Sequence, residues 1–210
     1  MGKYFIIAAI LSIILVFINT NYFKGKFGEF SVNCLLKRIS KNDKGILYKN
    51  IIVLLDNNSH QIDHVLISKK GIFVVETKNY SGTIYGSDYQ KDWTQVFNYG
   101  KQKYKFYSPV RQNYTHVEVL NNFLNNKYNI NNVIIFYKNS INNIKSKYVY
   151  TMKTFRDYYN NLSYIYSDKE LNEIINTINN INLKAISEKE HIKNINKRKE
   201  IIKWKAKNQI

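Results

Sequence analysis

One cysteine and one proline are all that 210 residues contain of either type. With no second cysteine to pair with, Cys34 excludes an internal disulfide and any metal site built from thiolates. Its place among apolar residues at helical spacing predicts a plain core thiol. The lone Pro109 stands where a helix would start, at a position that needs no backbone N–H. Acids are scarce too, with 15 Asp and Glu against 32 Lys and Arg and a formal net charge of +17. Such a field concentrates polyanions, and by itself does not choose between DNA, RNA and an anionic lipid surface. Disorder throughout is excluded, because hydrophobic residues make up 44% of the chain, with 18 Tyr and 11 Phe. There is no internal repeat.

Long apolar runs are also few, and the exception lies at the start. Residues 4–17 read YFIIAAILSIILVF and, with Ile18, are apolar except for Ser12. At ~1.5 Å per residue this run spans about 22 Å, short of a ~30 Å hydrocarbon core. Extension to Tyr22 and Phe23 reaches about 30 Å and puts aromatic anchors at both ends. No small-x-small cleavage site follows, so residues 1–23 are expected to form an uncleaved transmembrane helix rather than a signal peptide. Lys3 alone precedes the run, whereas Lys24, Lys26, Lys37 and Arg38 follow it. The positive-inside rule then predicts a single-pass cell-membrane protein with its body in the cytoplasm.

Three further segments are expected: a core over residues 24–140, a remainder of the domain over 141–183, and a basic tail over 184–210. In the core, Lys26 to Ile39 has helical spacing, with Phe27, Phe30, Cys34 and Leu35 as the apolar stripe. Glu29 falls in a second row with Val32 and Leu36, a carboxylate beside apolar neighbours. Strands are predicted over 46–55, 61–67, 72–78, 83–86, 133–137 and 148–152, with a turn at 56–59. A helix is predicted over 109–124. A second, over 167–181, has a Ser167/Glu170 capping box and an apolar face of Leu171, Ile174, Ile175 and Ile178. The tail places Ile186, Ile192, Ile195 and Ile202 roughly on one helical side, with Lys189, Lys193, Lys197, Arg198 and Lys203 around them. A basic amphipathic stretch of this kind can lie on anionic lipid or follow a phosphate backbone.

The chemistry concentrates in the hairpin of 61–78. With Lys69 and Lys70 as its two loop residues, Ser68 faces Gly71 and Asp63 lies opposite Glu76. Facing side chains have Cβ atoms ~4.5–5.5 Å apart, where like charges destabilise a sheet. Lys78 shares a face with Glu76 because strand side chains alternate. Two acids and one ammonium on one patch are tolerable if a divalent cation sits between the acids and bridges to phosphate. A one-residue slip of register would separate the acids and leave a surface hairpin, in which Lys78 pairs with Glu76 or Asp63.

Asp63 followed by Glu76-Thr77-Lys78 resembles the D…ExK core of the PD-(D/E)XK nuclease superfamily. A wider ordered set is similar to the nuclease-related domain family, NERD. It comprises Gly25-Lys26-Phe27-Gly28-Glu29, Gln61-Ile62-Asp63-His64-Val65, Gly71 through Asn79, Gly82, Gly86, Trp93, and Pro109-Val110-Arg111-Gln112-Asn113. The likeness runs over about residues 24–137. Ile62 stands where the superfamily's motif has proline, a departure that NERD-like sequences share.

The resemblance implies an α/β fold of the restriction-endonuclease type, a mixed sheet flanked by helices. Asp63 and Glu76 would bind Mg²⁺ or Mn²⁺, with the Thr77 carbonyl as a further ligand. Lys78 would position the attacking water, Glu29 would approach from the first helix, and Gln112 would hold Lys78 or the phosphate. Lys69, Lys70, Arg111, Lys197 and Arg198 are the candidates for contact with nucleic acid. His64 points away from Asp63 by alternation and reads as structural. His116, one turn after Gln112, faces either the site or the core. Trp93 is expected to cover the sheet rather than stack a base. The expected function is a membrane-anchored nuclease, DNA ahead of RNA. The alternative is a non-cleaving nucleic-acid-binding or membrane-scaffold module, and a third possibility is an active nuclease whose partner is another protein.

Overall fold

The computed structural model describes residues 20–55, 58–138 and 141–180 continuously, with isolated positions towards either end. Among the described residues no helix is long and apolar enough to cross a membrane. The expected spanning helix therefore finds no support here, and most of its apolar run lies outside the described residues. Most of the tail, with Lys197 and Arg198, lies outside them as well, and so do Asp56 and Asn57 of the expected turn.

Two sheets organise the rest. The first has five strands in the order β1, β2, β3, β7, β9, formed by Ile46–Leu55, Asn58–Ser68, Gly71–Lys78, Ile130–Phe136 and Val149–Thr151. The β1–β2 and β2–β3 pairs are antiparallel, whereas β3–β7 and β7–β9 are parallel. This is the mixed sheet expected. The return from β3 to β7 passes through β4 (Thr83–Ser87), β5 (Asp92–Phe97) and β6 (Gln102–Tyr107), which form a smaller sheet completed after β7 by β8 (Ile144–Lys145). It then passes through helix Pro109–Phe123.

The first helix, α1, spans Asn21–Asn42 and starts at Thr20, whose hydroxyl accepts the Phe23 N–H at 3.2 Å. Its buried stripe is Val32, Leu36 and Ile39, against Leu66, Phe73, Val75, Val133 and Ile135 of the sheet. That corrects the expected stripe: Phe27 and Phe30 are 45% and 62% exposed, and Cys34 is exposed rather than core. The cause is Gly28, which faces Asn79 at the end of β3. A Cβ at position 28 would lie 2.9 Å from that of Asn79. The helix docks through its smallest residue, and this rotates the larger apolar side chains outward. The row holding Glu29 becomes the inner one.

Helix α2, Pro109–Phe123, is capped by Ser108 and packs on the opposite face of the sheet, burying Val117 and Leu120 with Val65, Ile67, Ile72 and Val74. Helix α3, Met152–Asn161, carries Phe155 and Tyr159 into the α1 side. Helix α4, Asp168–Asn180, starts at the expected capping box, in which Glu170 accepts the Ser167 N–H at 2.8 Å. It buries Leu171, Ile174 and Ile178. Neither α3 nor the β5–β6 hairpin is expected from the sequence. Trp93 on β5 is fully buried, stacked on Phe136 at 6.4 Å, and its Nε1–H reaches the Ser87 carbonyl at 3.0 Å. A Cβ on Gly86 would fall 2.2 Å from the Trp93 ring, so glycine is the residue that fits. Trp93 covers the sheet and leaves no free face for a base.

Candidate active site

The β2–β3 pairing follows the expected register, from Ser68 opposite Gly71 to His64 opposite Val75. Asp63 is next in line, and its carboxylate, not a ladder bond, receives the Thr77 N–H at 3.0 Å. Beyond His64 the alternation of β2 breaks, because Ile62 and Val65, three positions apart, both enter the core under α2. The opposing Asn50 on β1 has a left-handed backbone, φ 49°. The hairpin therefore opens at Asp63, where β2 leaves β3.

Glu76 points to the α2 side and is 4% exposed. Its Oε1 accepts from Lys78 Nζ at 2.6 Å and from Gln112 Nε2 at 2.8 Å, and Gln112 Oε1 accepts from Lys78 Nζ at 3.1 Å. Glu76, Lys78 and Gln112 thus close a triangle of hydrogen bonds. Its other oxygen, Oε2, has His116 Nε2 at 3.8 Å. Both ring nitrogens of His116 are buried without hydrogen-bond partners, and its ring lies edge-on to His60 at 6.2 Å. The structure thus brings His116 to the site, a placement the sequence left open.

The electrostatics are those of a crowded acid patch. Burial pushes the Asp63 carboxyl up to about 7, with the charges of Glu76 and Glu29 adding to the rise and the Thr77 N–H and Lys78 opposing it. Burial alone would depress the Lys78 ammonium, but Glu76, Tyr80 and Asp63 outweigh it and hold its pKa above the usual lysine value. Burial lowers His116 despite the opposing charge of Glu76, so the imidazole is neutral at physiological pH. Glu29 belongs to this group by its field on Asp63, while its own carboxylate takes a 3.2 Å ion pair from Lys26.

Two residues outside the triangle hold these groups in place. Asn113, wholly buried, directs its amide to the carbonyls of Val74 and Val133 at 2.8 and 3.1 Å and to Asn132 Oδ1 at 2.7 Å. That clamps α2 to β3 and β7 and fixes Gln112 beside Lys78. Asn79 donates to the Lys24 carbonyl, tying the start of α1 to the end of β3 where Gly28 docks. Both sit in motifs quoted from the sequence, but a structural asparagine has no spacing signature of its own.

The other expected residues lie elsewhere. Lys69 and Lys70 occupy the closed turn, about 20 Å along the strand from Glu76 at ~3.3 Å per residue. Lys69 pairs with Asp168 at 2.7 Å, and Lys70 donates to the carbonyls of Tyr159 and Asn160 at 3.0 Å each. Arg111 is exposed on the first turn of α2, bonded to the Tyr89 carbonyl at 3.2 Å in a cleft with Tyr107 and Tyr114. Among the described residues no three His, Cys, Asp or Glu side chains converge as a self-sufficient metal cage. A Mg²⁺ site needs less than that, one or two carboxylates with waters and substrate oxygens completing the shell. The mutually repelling Asp63 and Glu76 fit this requirement.

A mixed sheet with paired acids and a lysine at the open end of a central hairpin defines a nuclease-like α/β domain. The family model described as nuclease-related domain, NERD, matches residues 24–137, and the chain belongs to that family, whose general placement is the PD-(D/E)XK superfamily. An uncharacterised protein of Bacillus anthracis is 39% identical over 98 residues, 46% of this chain. The match covers 45% of that relative, so the chain spans about half its length. No solved structure matches the chain.

Proposed function

We propose that this protein is a metal-dependent nuclease that hydrolyses phosphodiester bonds in nucleic acid, with DNA the first substrate and RNA the alternative. The observation that carries this reading is the cluster of Asp63, Glu76, Lys78 and Gln112, in which buried acid charge exceeds what the neighbouring groups neutralise. Asp63 and Glu76 would hold Mg²⁺ or Mn²⁺, together with the Thr77 carbonyl. The ion would supply Lewis-acid stabilisation of phosphoryl charge and lower the pKa of a bound water.

The protein's own groups do the rest. Glu76 and Gln112 hold the Lys78 ammonium on the face where a phosphate would meet the acids. Its raised pKa keeps it charged, so it can orient a water and offset phosphate charge. Gln112 is a positioning residue, since its contacts are with Lys78 and Glu76. The net charge of +17 would draw a polyanion to the surface, and Arg111, Lys197 and Arg198 are the residues we assign to backbone contact.

One observation favours a second reading, a non-cleaving nucleic-acid-binding or membrane-scaffold module. Glu76 Oε1 is already occupied by both Lys78 and Gln112, which would compete with a metal. Nicking of supercoiled plasmid DNA separates the two. The nuclease requires nicking by the full chain with Mg²⁺, none with a chelator, and none from Asp63→Asn. Undiminished binding with no nicking in any divalent metal establishes the module instead.

We further propose that the N-terminal segment attaches the protein to the cytoplasmic face of the cell membrane. In support, the apolar side chains at the described helical positions Tyr4, Phe5, Ile7, Ile10 and Val16 are all more than half exposed. The full-length protein should sediment with membranes and resist carbonate; release by carbonate contradicts hydrocarbon burial.

A further inference from the structure

On the α1 face of the hairpin, behind the acids, lies a cleft of about 220 Å³ between α1, β1 and β2. Glu29, whose charge acts on Asp63, also lines it, so it adjoins the acid site. Its floor is His64, 4% exposed, with Nδ1 buried and lacking any hydrogen-bond partner. Asn33 lines the same cleft, and its Oδ1 is likewise buried without a partner. Buried polar atoms are almost always paired, and two orphans lining one cleft mark hydrogen bonds left for something else. Phe30 forms a wall, 62% exposed and stacked on no other ring among the described residues. Lys49 stands at the rim.

We propose that this cleft receives one unpaired nucleobase of the nucleic acid whose phosphate lies at Asp63 and Glu76, a reading that rests on the proposed nuclease function. The space is below the ~300–1,000 Å³ of drug-sized pockets and suits one planar ring. An exposed aromatic wall supplies stacking, which every base can use. The orphaned His64 Nδ1 and Asn33 Oδ1 supply contacts to the base edge. The Lys49 ammonium is left for a flanking phosphate. A base can enter such a cleft only when it is out of its duplex. The substrate is therefore single-stranded nucleic acid, or a strand end or flipped nucleotide of a duplex.

Binding measured with Ca²⁺ in place of Mg²⁺ tests this without cleavage, using the full chain. The probes are a fluorescent single-stranded DNA 12-mer, its blunt duplex, and single strands with one abasic position moved along the sequence. The single strand should bind more tightly than the duplex. Phe30→Ala, a surface change, should weaken single-strand binding about tenfold, the scale of one stacked base, and leave the duplex alone. At one abasic position the wild-type protein should lose the same factor, and Phe30→Ala should lose nothing further. Additive losses, an abasic scan with no sensitive position, or no binding at all would overturn the cleft. Mg²⁺-dependent cleavage of the same strand is read separately. Cleavage with Phe30-independent binding rejects the cleft and keeps the nuclease, whereas Phe30-dependent binding without cleavage rejects the nuclease.

Discussion

The two ends of the β2–β3 hairpin are built on opposite principles. At the closed end, the polar groups at the turn have partners. Tyr159 donates to Asp43 and shares a 2.7 Å hydrogen bond with Ser68, whose hydroxyl also takes the Lys70 N–H at 3.2 Å. The Lys69 carbonyl accepts from Ile165 and Tyr166. Three segments of the chain, at Asp43, Tyr159 and Ile165–Tyr166, are thereby tied to one turn. At the open end, seven residues away on β3, acids crowd together and His116 has no hydrogen-bond partner for either nitrogen. The closed end is stabilised by its contacts. The open end costs stability, and such a cost is expected to persist only where function needs it.

Removing one acid from the open end should have the largest effect. Asp63→Asn or Glu76→Gln should cut plasmid cleavage by on the order of 10³, and Lys78→Ala by about 10², the range for loss of a preorganised charge at the reacting group. Lys78→Ala should keep most of its Mg²⁺ affinity in calorimetry; a parallel loss would make Lys78 a support for the acids rather than for the water.

Next in size is a dependence on pH. Asp63 has a folded pKa of about 7 against an ordinary value of 3.8. Between those values the folded state binds the proton more tightly than the unfolded chain does. Stability without metal should therefore be highest below about pH 4 for this group and fall as pH rises to 7, by up to ~4 kcal/mol in the limit of the full shift. Urea midpoints across that window should show the fall in the wild type and a flat profile in Asp63→Asn. A wild-type profile that rises would show Asp63 to be stabilised when charged.

At the closed end the same logic gives a smaller and opposite result. Tyr159→Phe leaves Asp43 and Ser68 without the shared hydroxyl and should cost ~1–3 kcal/mol, with cleavage per folded molecule unchanged. A loss of cleavage at full folding would mean that the two ends are coupled. Smallest is Gln112→Ala, which loosens Lys78 and should lower cleavage roughly tenfold with the urea midpoint nearly unmoved.

The open end was legible in part: with Lys69 and Lys70 as the loop, Ser68 faces Gly71 and alternation brings Asp63 beside Glu76, while the one-residue slip that the sequence left open is excluded by the observed pairing. The same reasoning could not foresee that β2 departs from β3 at Asp63, since the left-handed Asn50 lies on the neighbouring strand. The apolar stripe of α1 was misread because Phe27, Phe30 and Cys34 outweigh Gly28 on any hydrophobic scale, whereas docking is decided by how closely the backbones can approach. Strand β6, QKYKFY, alternates Lys103 and Lys105 with Tyr104 and Phe106 but is mostly exposed, and α3 sets its buried Phe155 and Tyr159 one turn apart within ten residues, so both signals are short. His116 was one helical turn from Gln112 in either reading, and only the packing of α2 turns it towards Glu76.

The central claim is that Asp63 and Glu76 form a cation site whose repulsion is relieved by metal. Its most direct test is the urea unfolding of wild type and Asp63→Asn at pH 7, each with and without Mg²⁺. Without metal, Asp63→Asn should be the more stable protein. With Mg²⁺ the wild type should gain about 2.7 kcal/mol at a hundredfold excess over Kd, and the variant almost nothing. A variant that is less stable than wild type without metal, and that gains as much from Mg²⁺, would contradict the account.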